Sequence, residues 1–153
     1  MKVGDLVPDF EATLDDGRTV RLSELLEDGP IVLFFYPKAF TPGCTAQSCH
    51  FRDLGAEFAE LGGQRFGVSR DSVETQHRFR EEHEFDYPLI SDADGSIARI
   101  FGASRFLPMW SKRITFVINT DRRVFGVIAS EVNMAKHADE ALELLRERNA
   151  QAA

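Results

Sequence analysis

The stretch Pro30-Ile-Val-Leu-Phe-Phe-Tyr-Pro37 limits the possible folds of this chain more than any other. Its apolar residues follow one another without a polar break. A strand with one wet face would alternate, so an unbroken run predicts a strand covered on both faces, in the interior of a sheet. The run from Ile31 to Tyr36 is far too short to cross a bilayer. The flanking prolines lack an N–H for the ladder and confine the strand to the residues between them.

The rest of the chain supplies partners for such a strand. Phe10 to Arg21 carries an Asp-Asp-Gly turn between two short β-like pieces, which predicts a hairpin. Thr41-Pro42-Gly43 has the form of a helix start, with Thr41 as N-cap and Pro42 as the first helical residue. Phe51, Leu54, Phe58 and Leu61 then recur at helical spacing up to Gly62-Gly63, a C-cap signal. Short strands are expected over Gln64 to Ser69 and Tyr87 to Ile90, a polar and mostly exposed helix over Val73 to Glu84, and a helical turn over Ser96 to Phe101. Ile114 to Asn119 and Val124 to Ala129 flank a polar turn and read as a second hairpin. Lys136 to Arg148 closes the chain as a helix, with Ala138, Ala141, Leu142 and Leu145 on one face. Strands alternating with helices between hairpins predict an α/β fold with a mixed central sheet and helices on both faces, compatible with a thioredoxin-like architecture. No repeat, low-complexity stretch or linker interrupts the sequence, so a single domain over residues 1–153 is expected.

Charge narrows the partners. A net charge of −7 is spread along the chain without forming a tail, which argues against nucleic acid or an anionic membrane surface. The N-terminal MKVGDLVPDFEATL has no apolar run of the length a signal peptide needs, so a cytoplasmic location is expected. In a reducing compartment, two cysteines are better explained by catalysis or metal binding than by a structural disulfide.

Both cysteines fall in one helix. With Thr41 as N-cap, Cys44 lies in the first turn, where unpaired backbone N–H groups favour a thiolate. Such a thiolate is a nucleophile for a peroxide oxygen, and the Thr41 hydroxyl is within reach of the sulfur or an incoming peroxide. Cys49 is five residues on, which in an intact helix means about 7.5 Å of rise and about 140° of rotation. The Cα atoms would then be roughly 8–9 Å apart, beyond the ~7 Å limit for a disulfide. Cys44 falls near the Phe51/Leu54/Phe58 stripe and Cys49 nearly opposite, so a bond between them requires the first turns to unwind. Taken alone, Cys49 also fits a small buried hydrophobe. Cys44, Cys49 and His50 make an incomplete zinc set, with no second Cys pair and no spaced His pair. The other histidines lack chemical company: His77 and His83 sit on a polar helix, and His137 stands alone near the last helix.

The segment Tyr36-Pro37-Lys38-Ala39-Phe40-Thr41-Pro42-Gly43-Cys44-Thr45 closely resembles the Pro-x-x-x-Thr-x-x-Cys signature of the peroxiredoxins. Cys49-His-Phe-Arg-Asp53 is similar to the subgroup called PrxQ or bacterioferritin comigratory protein. Gly67-Val-Ser-Arg-Asp-Ser72, Tyr87-Pro-Leu-Ile-Ser-Asp92 and Arg113-Ile-Thr-Phe-Val-Ile118 are similar to it as well, so the resemblance runs roughly from Gly4 to Ala129. It implies a thioredoxin-like fold and a thiol-dependent peroxidase acting on hydrogen peroxide and organic hydroperoxides. Cys44 would be the peroxidatic residue and Cys49 its resolving partner in an intramolecular disulfide. Thr41 and Arg113 would orient peroxide and stabilise the thiolate, Pro37 would shield the sulfur, and Gln47 matches the polar residue three after the nucleophile. The resemblance implies no cofactor or metal, a thioredoxin- or glutaredoxin-type reductant, and a monomer or weak homodimer. Without it, Arg113 reads as a surface arginine at a strand start. Lys112-Arg113 precedes Ile114 where thioredoxins carry a peptide-binding proline, which disfavours a general disulfide reductase. Ala39 and the stretch Phe106-Leu-Pro-Met-Trp110 depart from the subgroup pattern. The other readings are a non-catalytic thiol switch, a protein thiol–disulfide oxidoreductase, and a metal-binding or structural domain.

Overall fold

The computed structural model describes residues 1–104 and 111–152; the divergent stretch 106–110 lies outside the described residues. The strands are β1 (Glu11–Leu14), β2 (Thr19–Arg21), β3 (Ile31–Phe35), β4 (Gln64–Ser69), β5 (Leu89–Ser91), β6 (Ile114–Ile118) and β7 (Val124–Ala129). The helices are α1 (Leu22–Leu25), α2 (Pro42–Asp53), α3 (Gly55–Glu60), α4 (Val73–His83), α5 (Ser96–Phe101) and α6 (Met134–Ala152), with a 3-10 turn at Leu26–Asp28. The strands form one sheet in the order β2-β1-β5-β4-β3-β6-β7. β4 runs parallel to both β3 and β5, and the remaining pairs are antiparallel, which makes the sheet mixed.

β3 sits between β4 and β6, and every one of its residues is buried. Its alternate residues feed two cores. Ile31, Leu33 and Phe35 pack with Phe66, Val68, Phe116 and the α5 residues Ile97, Ala98 and Phe101. Val32, Phe34 and Tyr36 pack with Phe51, Phe58, Phe79 and the α6 residues Ala138, Ala141, Leu142 and Leu145. The unbroken apolar run is therefore explained by two covered faces, with α5 on one side and α2, α3, α4 and α6 on the other. The Phe34 ring stacks on Phe51 at 4.0 Å between centroids, and Phe51 stacks on Phe58 at 5.7 Å. These aromatic contacts press α2 and α3 onto the sheet, and truncating one such ring costs about 3–5 kcal/mol.

The predicted continuous helix from Thr41 to Leu61 is interrupted. Leu54 leaves helical geometry (φ −96°, ψ 18°) and α3 begins at Gly55. The cause is a distant pair: a side chain at Gly55 would collide with the Asp86 carboxylate, and Arg65 donates to the Phe51 carbonyl at 2.8 Å. The helix end at Gly62 holds as expected, with φ 73° after the last turn. β5 starts at Leu89 rather than Tyr87, and α6 runs longer than its apolar stripe predicts. Among the described residues, no helix is long and apolar enough to cross a membrane.

Candidate active site

Three segments converge where β3 ends. Tyr36 extends the strand by donating its N–H to Val68 at 3.0 Å, and the half-buried Pro37 then turns the chain out of the sheet. The loop that follows is fixed by Asp71, whose Oδ2 accepts from the Ala39 N–H at 2.8 Å and from Ser69 Oγ at 2.7 Å. Phe40 is held at φ 67°, a left-handed conformation that a bulky side chain rarely adopts. Its ring packs against Phe79 at 5.0 Å, and the strain is carried at the entry to α2.

Thr41 is the N-cap residue in extended geometry, with Pro42 opening the helix, as the sequence predicts. Its hydroxyl does not cap the helix. It donates to the Lys38 carbonyl at 2.7 Å, which leaves its lone pairs as acceptors. No side chain caps the helix start, so the first-turn N–H groups stay directed at the region beside Cys44.

Cys44 is fully buried within the core cluster of α2 and α6. Arg113, at the start of β6, donates through Nη2 to Cys44 Sγ at 3.4 Å. Its Nη1 donates to Gln47 Oε1 at 2.5 Å, and its backbone N–H donates to Glu131 Oε1 at 3.2 Å. The surface reading of Arg113 is excluded, because only 7% of the residue is exposed. A guanidinium held by its fork between a sulfur and an amide is a fixed positive charge, suited to a thiolate and to charge developing on an attacked oxygen. Among the described residues, Gln47 Nε2 and Arg113 Nε are buried without a hydrogen-bond partner, which leaves two donors available on this bonded pair of side chains. Gly43 makes the approach possible, since a Cβ there would stand 3.2 Å from Arg113 Nη2.

Cys49 lies on the same helix as a free thiol, half-buried against the edge of the cluster that holds Cys44. It does not face fully away, as the helical wheel predicts. Burial pushes its thiol above the ordinary pKa, opposed by Arg52 and aided by Asp53. His50 beside it bonds Asp139 on α6 at 2.8 Å. Among the described residues, no cluster of three His, Cys, Asp or Glu side chains is arranged to hold a metal ion.

Sequence reasoning misses several supports of this site. His137 is fully buried, accepts from Thr115 Oγ1 at Nδ1 (2.8 Å) and donates from Nε2 to the Ser130 carbonyl (2.8 Å). Burial holds its pKa below the ordinary value, the Ser130 bond opposes this, and the Arg113 charge adds to it. A neutral imidazole thus ties β6 to the loop that carries Glu131. Nothing near His137 in sequence signals this; its partners come from other elements. Asp71 lies within the Gly67–Ser72 resemblance, but its bond to Ala39 is visible only in three dimensions. A groove of about 750 Å³, lined by residues such as Phe10, Thr13, Asp92 and Ile100, contains none of these side chains.

Comparison with known proteins places the chain in a family. Residues 3–126 match the AhpC/TSA family. The chain is 36% identical over 153 residues to the peroxiredoxin Bcp of Bacillus subtilis, covering 96% of each. The crystal structure of the peroxidoxin BcpB from Mycobacterium tuberculosis superposes with a TM-score of 0.91 at 55% identity, covering 96% of this chain and 97% of that one. A bacterioferritin comigratory protein of Xanthomonas campestris, solved in connection with its alkyl peroxide reduction activity, superposes with a TM-score of 0.86 at 30% identity, covering 97% and 99%.

Proposed function

The chain belongs to the AhpC/TSA family as a Bcp-type peroxiredoxin with a thioredoxin fold, and from that premise we propose that Cys44 is its peroxidatic thiol and Cys49 its resolving one. The observation that carries this reading is the Arg113 guanidinium donating to a fully buried Cys44 Sγ at the first turn of α2. The substrates are hydrogen peroxide and organic hydroperoxides, the latter supported by the alkyl peroxide activity of the Xanthomonas relative.

In the first step the Cys44 thiolate attacks the terminal oxygen of a hydroperoxide. An S–O bond forms as the O–O bond breaks, two electrons pass from sulfur, and the departing alkoxide or hydroxide takes up a proton. The unpaired donors of Gln47 and Arg113, with the first-turn N–H groups, stabilise the charge on the reacting oxygens. Thr41 accepts a hydrogen bond from the peroxide O–H through the lone pairs left free by its own donation to the Lys38 carbonyl. Pro37 shields the sulfur from bulk water.

In the second step the first turns of α2 unwind and the Cys49 thiolate attacks the Cys44 sulfenic sulfur. An S–S bond forms, the S–O bond breaks, and hydroxide leaves with a proton as water. A thioredoxin- or glutaredoxin-type dithiol then exchanges with the disulfide and restores both thiols. Burial raises the Cys49 pKa while the helix is intact, so unwinding also favours the attacking thiolate. The unit is one domain over residues 1–153 acting in the reducing cytoplasm.

Intact mass measured from milliseconds to minutes after one equivalent of hydrogen peroxide tests these roles. Wild type should lose two hydrogens rapidly, Cys49→Ser should stop at a trappable sulfenic acid, and Cys44→Ser should be inert. Wild-type oxidation no faster than that of free cysteine would overturn the reading.

A further inference from the structure

The two halves of α2 are held by different means. From Thr41 to Gln47 the helix is tied to the rest of the protein through Arg113, which bonds Cys44 Sγ and Gln47. That tie weakens during catalysis, because a sulfenic acid carries no negative charge for the guanidinium to hold. From Ser48 to Arg52 the ties do not involve the reacting sulfur. The Tyr87 hydroxyl donates to the Ser48 carbonyl at 2.7 Å, Arg65 donates to the Phe51 carbonyl at 2.8 Å, and Arg52 donates to the His83 carbonyl at 2.7 Å.

The Tyr87 bond differs from the others in its place. Ser48 immediately precedes Cys49 and lies inside the stretch from 44 to 49 that must leave helical geometry for a disulfide to form. Tyr87 is 2% exposed, its ring stacks on Phe85 at 5.4 Å, and the Arg65 guanidinium stands 4.9 Å from its centroid. Arg65 is in turn fixed by Asp86 through two bonds of 2.8 Å. The hydroxyl therefore cannot follow Ser48 as the helix opens. When Ser48 leaves, a buried phenol donor loses its partner, and the unwinding must carry that cost.

We propose that Tyr87 is a positioning residue for the resolving step: its hydroxyl latches the Ser48 carbonyl, keeps the turn before Cys49 helical, and slows disulfide formation. The proposal rests on the reading that Cys49 resolves Cys44 by unwinding of α2. Oxidation at Cys44 loosens the first half of the helix by weakening one of the two Arg113 bonds, and the latch sets how readily the opening extends through Ser48. A slow resolving step leaves the sulfenic acid exposed to a second peroxide, so the latch also governs how often Cys44 proceeds to sulfinic acid.

Stopped-flow oxidation separates the two steps, because sulfenic acid formation scales with peroxide and disulfide formation does not. Tyr87→Phe keeps the ring and removes only the donor. It should speed the peroxide-independent phase by about 3- to 10-fold, the worth of one hydrogen bond, and leave the peroxide-dependent phase within about twofold of wild type. The sulfinic fraction at fixed excess peroxide should fall alongside. Site-specific 3-fluorotyrosine in place of Tyr87, a stronger donor of nearly the same shape, should slow the same phase and decides the question if Tyr87→Phe fails to fold. A resolving phase unchanged or slower in Tyr87→Phe, or unmoved by the fluorinated ring, overturns the latch. Absence of any disulfide in wild type would instead overturn the reading of Cys49 on which it rests.

Discussion

Cys44 and Cys49 share one helix and have opposite surroundings. Cys44 is fully buried, yet a guanidinium donates to its sulfur and the uncapped helix start points at it. Cys49 is less buried, but its burial acts against the thiolate, and among the described residues no cation bonds its sulfur directly. Exposure alone would favour Cys49, the reverse of the proposed order. What separates them is whether fixed charge has been arranged around the sulfur, and for Cys44 that charge comes from a residue just before β6, distant in sequence. In the proposed mechanism Cys49 depends instead on the helix opening, so electrostatics governs one step and conformation the other.

Removing the charge should break this contrast most strongly. Arg113→Ala takes away the donor to Cys44 Sγ and leaves the Gln47 amide buried without its partner. The second-order constant for peroxide should fall about 10²- to 10³-fold, as for loss of one donor to a reacting oxyanion. Arg113→Lys should recover only part of this, since an ammonium cannot bond sulfur and amide together as the guanidinium fork does. Alkylation of Cys49 by iodoacetamide, followed in a Cys44→Ser background, should not change. A parallel loss at Cys49 would mean that Arg113 supports the helix as a whole rather than one sulfur.

The pH dependence sharpens the contrast from the other side. Burial raises the Cys49 pKa, so the folded helix holds the protonated thiol more firmly than the open one does. The stability this gives the closed helix is fully present below the thiol's ordinary pKa and is lost as pH rises through the raised value. Increasing pH therefore favours both the open helix and the attacking thiolate. The resolving phase should accelerate by close to tenfold between pH 7 and 8. A resolving phase flat over that interval would place the rate limit in a step that does not involve the Cys49 proton.

Much of this arrangement was legible in sequence wherever the cause was local. The Pro30–Pro37 run announced a strand with two covered faces, and Thr41-Pro42 announced the start of α2. The break at Leu54 was not legible, because Phe51, Leu54 and Phe58 keep helical spacing across it. It depends on Asp86 and Arg65 arriving from other elements, and a side chain at Gly55 would meet that carboxylate. Arg113 was placed at the site by family resemblance alone, since its burial depends on Gln47 and Glu131, distant in sequence. His137 reads in sequence as isolated for the same reason: Thr115 and Ser130 complete its bonds only after the sheet has formed. Patterns report the faces an element must bury, whereas polar partners across the fold leave little periodic trace.

The smallest expected effect concerns the outer tie on α2. His50 Nε2 bonds Asp139 Oδ1 at 2.8 Å, joining the residue after Cys49 to α6. The side chains are 32% and 59% exposed, so the pair competes with water, unlike the buried Tyr87 bond. Exposed pairs of this kind contribute about 0.2–1 kcal/mol. Asp139→Ala should therefore speed the resolving phase by less than about fivefold, and raising the salt concentration should reproduce part of that gain in wild type. Asp139→Asn, which keeps a hydrogen-bonding group and removes the charge, should fall between the two. Because His50 lies beyond the 44–49 segment, the helix can open through Ser48 with this tie intact. An Asp139→Ala effect as large as that of Tyr87→Phe would show that opening extends past Cys49 into the turn that contacts α6, and would move the boundary between the two halves of α2 towards Asp53.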